Sequence, residues 1–167
     1  MAKFLVIAEK PRVAQRLAKN LSAYQRKDGY LEGNSCIVSW CLGHLAEYVP
    51  PEIYDEKYAK WQFEDLPIIP EVWKVQVSED KKKQFDVICS LMNRADVAYL
   101  VNGCDAGREG ELIFKRVYDL AGCQKPVKRL WISSMEDEAI QKGFQSLKAG
   151  KEYAGLCNAA VCRAQAD

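Results

Sequence analysis

The chain has 167 residues, 49% of them hydrophobic and 28% charged, a balance that supports a buried core in one domain, with room for the start of a second. No apolar run approaches the roughly 20 residues that span a bilayer, and Glu9 and Lys10 cut the N-terminal apolar stretch too short for a signal-peptide core, so the sequence reads as cytoplasmic. A net charge of +1 points to no partner by itself.

Lys3–Ala8 (KFLVIA) is an apolar run of the kind buried on both faces of a parallel sheet. Pro11 suits the first turn of a helix, and Val13, Leu17 and Leu21 give that helix one apolar stripe. Ser35–Leu42 reads as a second strand, followed by Gly43 and His44. Pro50–Pro70 holds four prolines and many acids, which predicts a long excursion with little regular structure. Phe85, Ile88, Leu91 or Met92, and Ala95 mark a helix after the Lys81–Lys83 run.

Ala98–Val101 reads as a third strand and Asn102–Gly107 as a loop. A helix starts near Glu109, carries Ile113, Val117, Leu120 and Ala121 on one face, and is stopped by Gly122. Val127–Ile132 is a fourth strand. Ser134 with Asp137 resembles a helix N-cap, and Ile140, Phe144 and Leu147 form that helix's stripe. The Ala-rich stretch Glu152–Asp167 reads as a last helix, cut off in mid-pattern. Strands alternating with helices predict an α/β domain with a mainly parallel sheet of about four strands flanked by helices.

Seven cysteines, an odd number without any CxxC, read as reduced thiols of a core rather than a disulfide framework or a zinc site. Charge is unevenly spread. Residues 1–33 hold seven positive groups (Lys3, Lys10, Arg12, Arg16, Lys19, Arg26, Lys27) against Glu9, Asp28 and Glu32. Residues 47–71 hold seven acids against Lys57 and Lys60. The basic stretch is either a phosphate-holding face or a solvated helix face; charge alone does not separate the two.

Acids collect where two of the expected strands end: Glu9 after the first, and Asp105, Glu109 and Glu111 after Ala98–Val101. Ligands of open α/β sheets gather beyond the carboxyl ends of strands. If the two strands are neighbours, Glu9, Asp105 and Glu109 form one acidic cluster whose hard oxygens suit Mg2+. Such an ion neutralises a phosphate and orients it for in-line transfer. Gly107 and Gly110 permit a tight strand-to-helix turn.

Five motifs occur in order: AEKP at 8–11, LGHL at 42–45, DAGREGEL at 105–112, RLWISS at 129–134 and RAQAD at 163–167. Together they resemble the N-terminal region of type IA DNA topoisomerases, of the bacterial topoisomerase III kind, across essentially the whole chain. The resemblance implies a Toprim domain over residues 1–150, with 151–167 starting a further helical domain. It implies a Mg2+-dependent, ATP-independent enzyme that breaks, passes and rejoins one DNA strand. The nucleophilic tyrosine would come from the remaining domains of the same polypeptide, leaving this stretch alone unable to relax DNA.

By the same resemblance, Glu9 helps deliver a proton to the leaving deoxyribose oxygen and sits beside the metal. Lys10 holds the scissile phosphate, and Asp105 and Glu109 bind Mg2+. The chain departs from the family's DxDxE run at Gly107, which leaves fewer carboxylates; Glu111 either substitutes there or stands behind the ligands, the second being the preferred reading. His44 would contact the DNA backbone and Trp61 would lie near DNA, although a lone histidine and a tryptophan are ordinarily structural. Arg108 and Arg163 are candidates for phosphate contacts, Arg163 having Asp167 as an intrahelical ion-pair alternative. A free-standing Toprim nuclease or primase-like enzyme, and a purely structural nucleic-acid-binding module, are the other classes that these acids fit.

Overall fold

The computed structural model describes residues 1–167. In chain order the elements are β1 (Lys3–Ala8), α1 (Pro11–Asn20), β2 (Gln25–Lys27), β3 (Tyr30–Glu32), β4 (Cys36–Trp40), β5 (Ala46–Tyr48) and β6 (Val75–Val77). They continue with α2 (Lys82–Met92), β7 (Val97–Gly103), α3 (Arg108–Leu120), β8 (Val127–Arg129), α4 (Asp137–Gln145), β9 (Lys148–Ala149) and α5 (Ala154–Ala166).

The centre of the main sheet is parallel. β1 lies between β4 and β7, and β7 carries β8 on its other side. Leu5, Val6, Ile7 and Ala8 are wholly buried, which explains why β1 is apolar without alternation. These four strands match the expected number, but the sheet has seven: antiparallel β2 and β3 extend it beyond β4, and antiparallel β9 beyond β8. The added strands are two or three residues long, too short to show a period of their own.

Helices cover both faces. Ala14, Leu17 and Ala18 of α1 and Ile140 of α4 pack with Val6, Ala8, Val38 and Val101 on one side. Ile88, Leu91 and Met92 of α2 and Ile113, Phe114 and Val117 of α3 pack with Leu5, Ile7, Ile37 and Leu100 on the other. Helix α5 lies against α3, burying Cys157 and Ala160. Five of the seven cysteines (Cys36, Cys41, Cys104, Cys123 and Cys157) are buried.

Several expected boundaries move. Helix α2 ends at Met92, and Ala95 falls in the turn before β7, because the Asn93 amide closes onto the carbonyls of Cys89 and Ala121. Strand β8 stops at Arg129, three residues short of Ile132. The N-cap of α4 is Glu136 rather than Ser134, whose hydroxyl accepts from the Glu136 N–H at 3.2 Å in the turn before it. Gly122 does follow the end of α3, with φ of +63°.

The acidic excursion contains only short 3-10 turns (Pro51–Ile53, Glu56–Ala59, Phe63–Asp65). It is pinned at its base by the β5–β6 pair and by Tyr48 packed 5.0 Å from Trp73. Arg116 of α3 stacks over Tyr48 at 4.6 Å and donates to the Ala46 carbonyl at 3.2 Å, tying that base to the domain.

Candidate functional site

Strands β1 and β7 run side by side, with Ala8 beside Gly103, so the residues that follow them emerge at one edge of the sheet. Glu9 leaves β1 there and Asp105 lies two residues beyond β7. The Asp105 N–H donates to Glu9 Oε2 at 3.2 Å. Helix α3 then closes tightly over the loop. A Cβ on Gly110 would stand 2.0 Å from the Asp105 carbonyl oxygen, so only glycine permits this approach. A Cβ on Gly107 would meet nothing within 4 Å, so crowding is not what keeps a side chain from that position.

Glu9, Asp105, Arg108, Glu109 and, from α5, Arg163 line one cleft of about 310 Å³. A second cleft of about 280 Å³ continues from it through Glu109 and Arg163 to His44, Tyr48 and Asp167. His44 Nε2 lies 2.7 Å from Glu109 Oε2. Because a carboxylate only accepts, Nε2 carries the proton. Nδ1 is buried without a partner. His44 itself is fixed from behind by Lys81, whose ammonium donates to the His44 carbonyl at 2.9 Å.

The loop is held from beneath by a residue that the sequence reading left in a strand. Arg129 of β8 is 1% exposed. Its Nε donates to Glu111 Oε1 at 2.6 Å, and its Nη2 donates to the Asp105 carbonyl at 2.8 Å. Its Nη1 reaches the carbonyls of Asn102, Cys104 and Leu130. A buried guanidinium demands this many acceptors, and it finds them in the backbone that presents Asp105. Glu111 is thus turned from the cleft to Arg129 and is not placed as a replacement ligand there. The signal for Arg129 was its place inside a run read as a strand, where a charge is out of pattern.

Lys10 and Trp61 lie outside that cleft. Lys10 follows Glu9 directly and is exposed at the start of α1, outside the residues that line the cleft. Trp61 is 79% exposed in the excursion, where it lines a groove of about 780 Å³ with Tyr54, Tyr58 and Trp73. That groove meets the second cleft at Tyr48, Ala164 and Asp167. Arg163 Nε sits 3.8 Å from Asp167 Oδ2, the ion-pair alternative, and both are exposed. Cys104, beside Asp105, is buried, and a hydrogen bond with Cys41 together with that burial pushes its thiol well above the usual range.

No three His, Cys, Asp or Glu side chains are arranged to hold a metal ion by themselves. One oxygen of Glu109 is engaged by His44. Mg2+ needs only one or two carboxylates, taking water and phosphate for the rest, and Glu9 with Asp105 at an open cleft fits that donor chemistry.

A family model for the Toprim domain matches residues 4–135. The chain belongs to the Toprim family. This Toprim chain is 48% identical over all 167 residues to DNA topoisomerase 3 of Bacillus subtilis and 49% identical to that of Bacillus anthracis. In each case it spans 23% of the relative's length, corresponding to the N-terminal region. Among solved structures it is similar to full-length topoisomerase I from Thermotoga maritima, with a TM-score of 0.57 at 16% identity, over 87% of this chain and 21% of that one. At that identity the likeness speaks for the fold alone. No helix is long and apolar enough to cross a membrane.

Proposed function

We propose that this Toprim domain is the metal- and phosphate-handling part of a type IA DNA topoisomerase that breaks and rejoins one DNA strand without ATP. The observation that carries the reading is the meeting of Glu9 and Asp105 at the ends of adjacent parallel strands, with Arg108 and Arg163 on the same cleft. Residues 1–150 form the Toprim unit in this reading, and 151–167 begin the next, helical part.

Glu9 and Asp105 would hold Mg2+, with Glu109, one oxygen of which His44 engages, lining the same cleft beside them. Bound there, the ion would neutralise a DNA phosphate at the reacting centre. Glu9 Oε2 accepts from the Asp105 N–H, and the same carboxylate, beside the ion, would help deliver a proton to the leaving deoxyribose oxygen. Lys10, Arg108 and Arg163 bind phosphates along a single strand, and His44 meets the backbone beside them. Trp61, exposed among Tyr54, Tyr58 and Trp73, offers a surface on which an unpaired base stacks. The attacking tyrosine would come from the rest of the polypeptide.

The test exchanges this chain for the matching region of the Bacillus subtilis DNA topoisomerase 3 and follows relaxation of negatively supercoiled DNA with and without Mg2+. Mg2+-dependent relaxation that Glu9→Gln or Asp105→Asn abolishes supports the reading. The chain alone, given labelled single-stranded DNA and Mg2+, should leave it intact. Cleavage that Glu9→Gln removes would instead make it a nuclease in its own right.

A further inference from the structure

Asn102 is the one polar side chain in the buried second half of β7, between Val101 and Gly103 and 2% exposed. Its neighbours in register are Ile7 on β1 and Arg129 on β8, so it sits in the middle of the parallel sheet. A carboxamide buried there is costly unless it is hydrogen-bonded. An apolar side chain would fill the same place, as Leu100 does two residues earlier on the same face.

The partner of that carboxamide is the turn itself. Asn102 Oδ1 accepts from the Cys104 N–H at 3.1 Å. Strand β1 last pairs with β7 through Ala8 and Gly103, so the ladder ends before Cys104. The side chain of Asn102 supplies the acceptor for the Cys104 N–H and closes an Asx-type turn. That turn swings the next N–H, of Asp105, onto Glu9 Oε2. On its other side the loop offers the Cys104 and Asp105 carbonyls to Arg129, which also takes the Asn102 carbonyl at 3.1 Å.

We propose that Asn102 is the positioning residue that sets the direction of the Asp105 loop, and with it the spacing of the Glu9 and Asp105 carboxylates. It touches neither substrate nor ion and acts through the Cys104 amide. The proposal rests on the reading of the Glu9–Asp105 cleft as a divalent-cation site, and it adds that a side chain within the sheet determines how well the two acids act together. Only an acceptor two residues before Cys104 meets the requirement. A threonine hydroxyl in an ST-turn is therefore the conservative replacement, and valine, of the same shape but without an acceptor, is the disabling one.

The experiment compares the unaltered chain, Asn102→Thr and Asn102→Val by Mg2+ calorimetry, thermal unfolding and the amide resonances of Cys104 and Asp105. In Asn102→Val we expect Mg2+ affinity to fall by about tenfold, the scale on which partners behind metal ligands act. The Cys104 amide should exchange at least tenfold faster, and the Asp105 amide resonance should move. Asn102→Thr should restore all three. If both variants lose thermal stability to the same degree while Mg2+ affinity and the Asp105 resonance hold, Asn102 is only a packing residue and the proposal is overturned. Should valine unfold the chain, threonine alone decides: native affinity and resonances support the turn, and weakened affinity in a folded protein overturns it. A chain that takes up no Mg2+ in any form sinks the cation reading; an unmoved Asp105 resonance in Asn102→Val then sinks this proposal separately, and a moved one that threonine restores supports it.

Discussion

His44 Nε2 stands 2.7 Å from Glu109 Oε2, joining the loop after β4 to the first turn of α3 across 65 positions of sequence. The bond fixes which way the Glu109 carboxylate faces, since its second oxygen is the one left for the cleft. We expect His44→Ala to weaken Mg2+ binding by about tenfold. Gln in the same place keeps an N–H donor and should retain most of the affinity. Calorimetric titration of the chain with Mg2+ distinguishes the two; equal losses would count against an orienting role.

Arg129 and Glu111 form a buried pair whose partners include the backbone of Asp105. Removing one partner strands the other charge, and Arg129→Met should cost about 3–5 kcal/mol in urea unfolding. The double variant with Glu111→Leu should recover much of that stability, because a hydrophobic pair of similar volume fits a dry site. It should not recover Mg2+ binding, since the Asp105 carbonyl stays without its guanidinium donor. Stability and metal affinity that return together would show the two to be one effect.

Gly110 is required by the approach of α3 to the acidic loop. Its missing Cβ would lie 2.0 Å from a backbone oxygen, and neither side of that contact is a flexible side chain. Gly110→Ala should destabilise by about 1–3 kcal/mol, as overpacking does. It should also push Asp105 from Glu9, readable as a lost Mg2+ response in a protein that still unfolds cooperatively. Gly107→Ala meets no such contact, and we expect a smaller loss of Mg2+ response from it.

Acid should loosen the opposite end of the sheet. Glu32 is bound by Lys3 at 2.7 Å and Arg94 at 2.9 Å. The hydrogen bond from Lys3, with that from Arg94, holds its carboxyl below the usual glutamate range against the opposing effect of burial. A carboxyl whose folded pKa is depressed stabilises the fold above its unfolded pKa, and that contribution disappears as pH falls through the folded value. Urea unfolding of the chain should therefore weaken steeply below the ordinary glutamate range. In Glu32→Gln that acid limb should be shallower, and the variant should be less stable at neutral pH. An unchanged acid limb would remove Glu32 from the account.

The sequence alone placed the four parallel strands and their helices along the chain, because β1, β4 and β7 lie in largely apolar runs and most of the helices have their own stripe. Glu9, Asp105 and Glu109 were legible as a group because acids at the ends of buried strands are out of pattern. The short strands β2, β3 and β9 were not, since two or three residues carry no period. The sequence also could not say that Glu111 faces inward while Glu109 faces the cleft, for both stand on the same first turn of α3. Tertiary structure decided that by placing Arg129 under one and His44 beside the other. It likewise gave Asn102 its partner, because the need for an acceptor at Cys104 arises only where β1 stops pairing with β7. Local pattern is written in neighbouring residues, whereas the facing of a carboxylate is set by hydrogen-bond donors brought to it from 18 and 65 positions away.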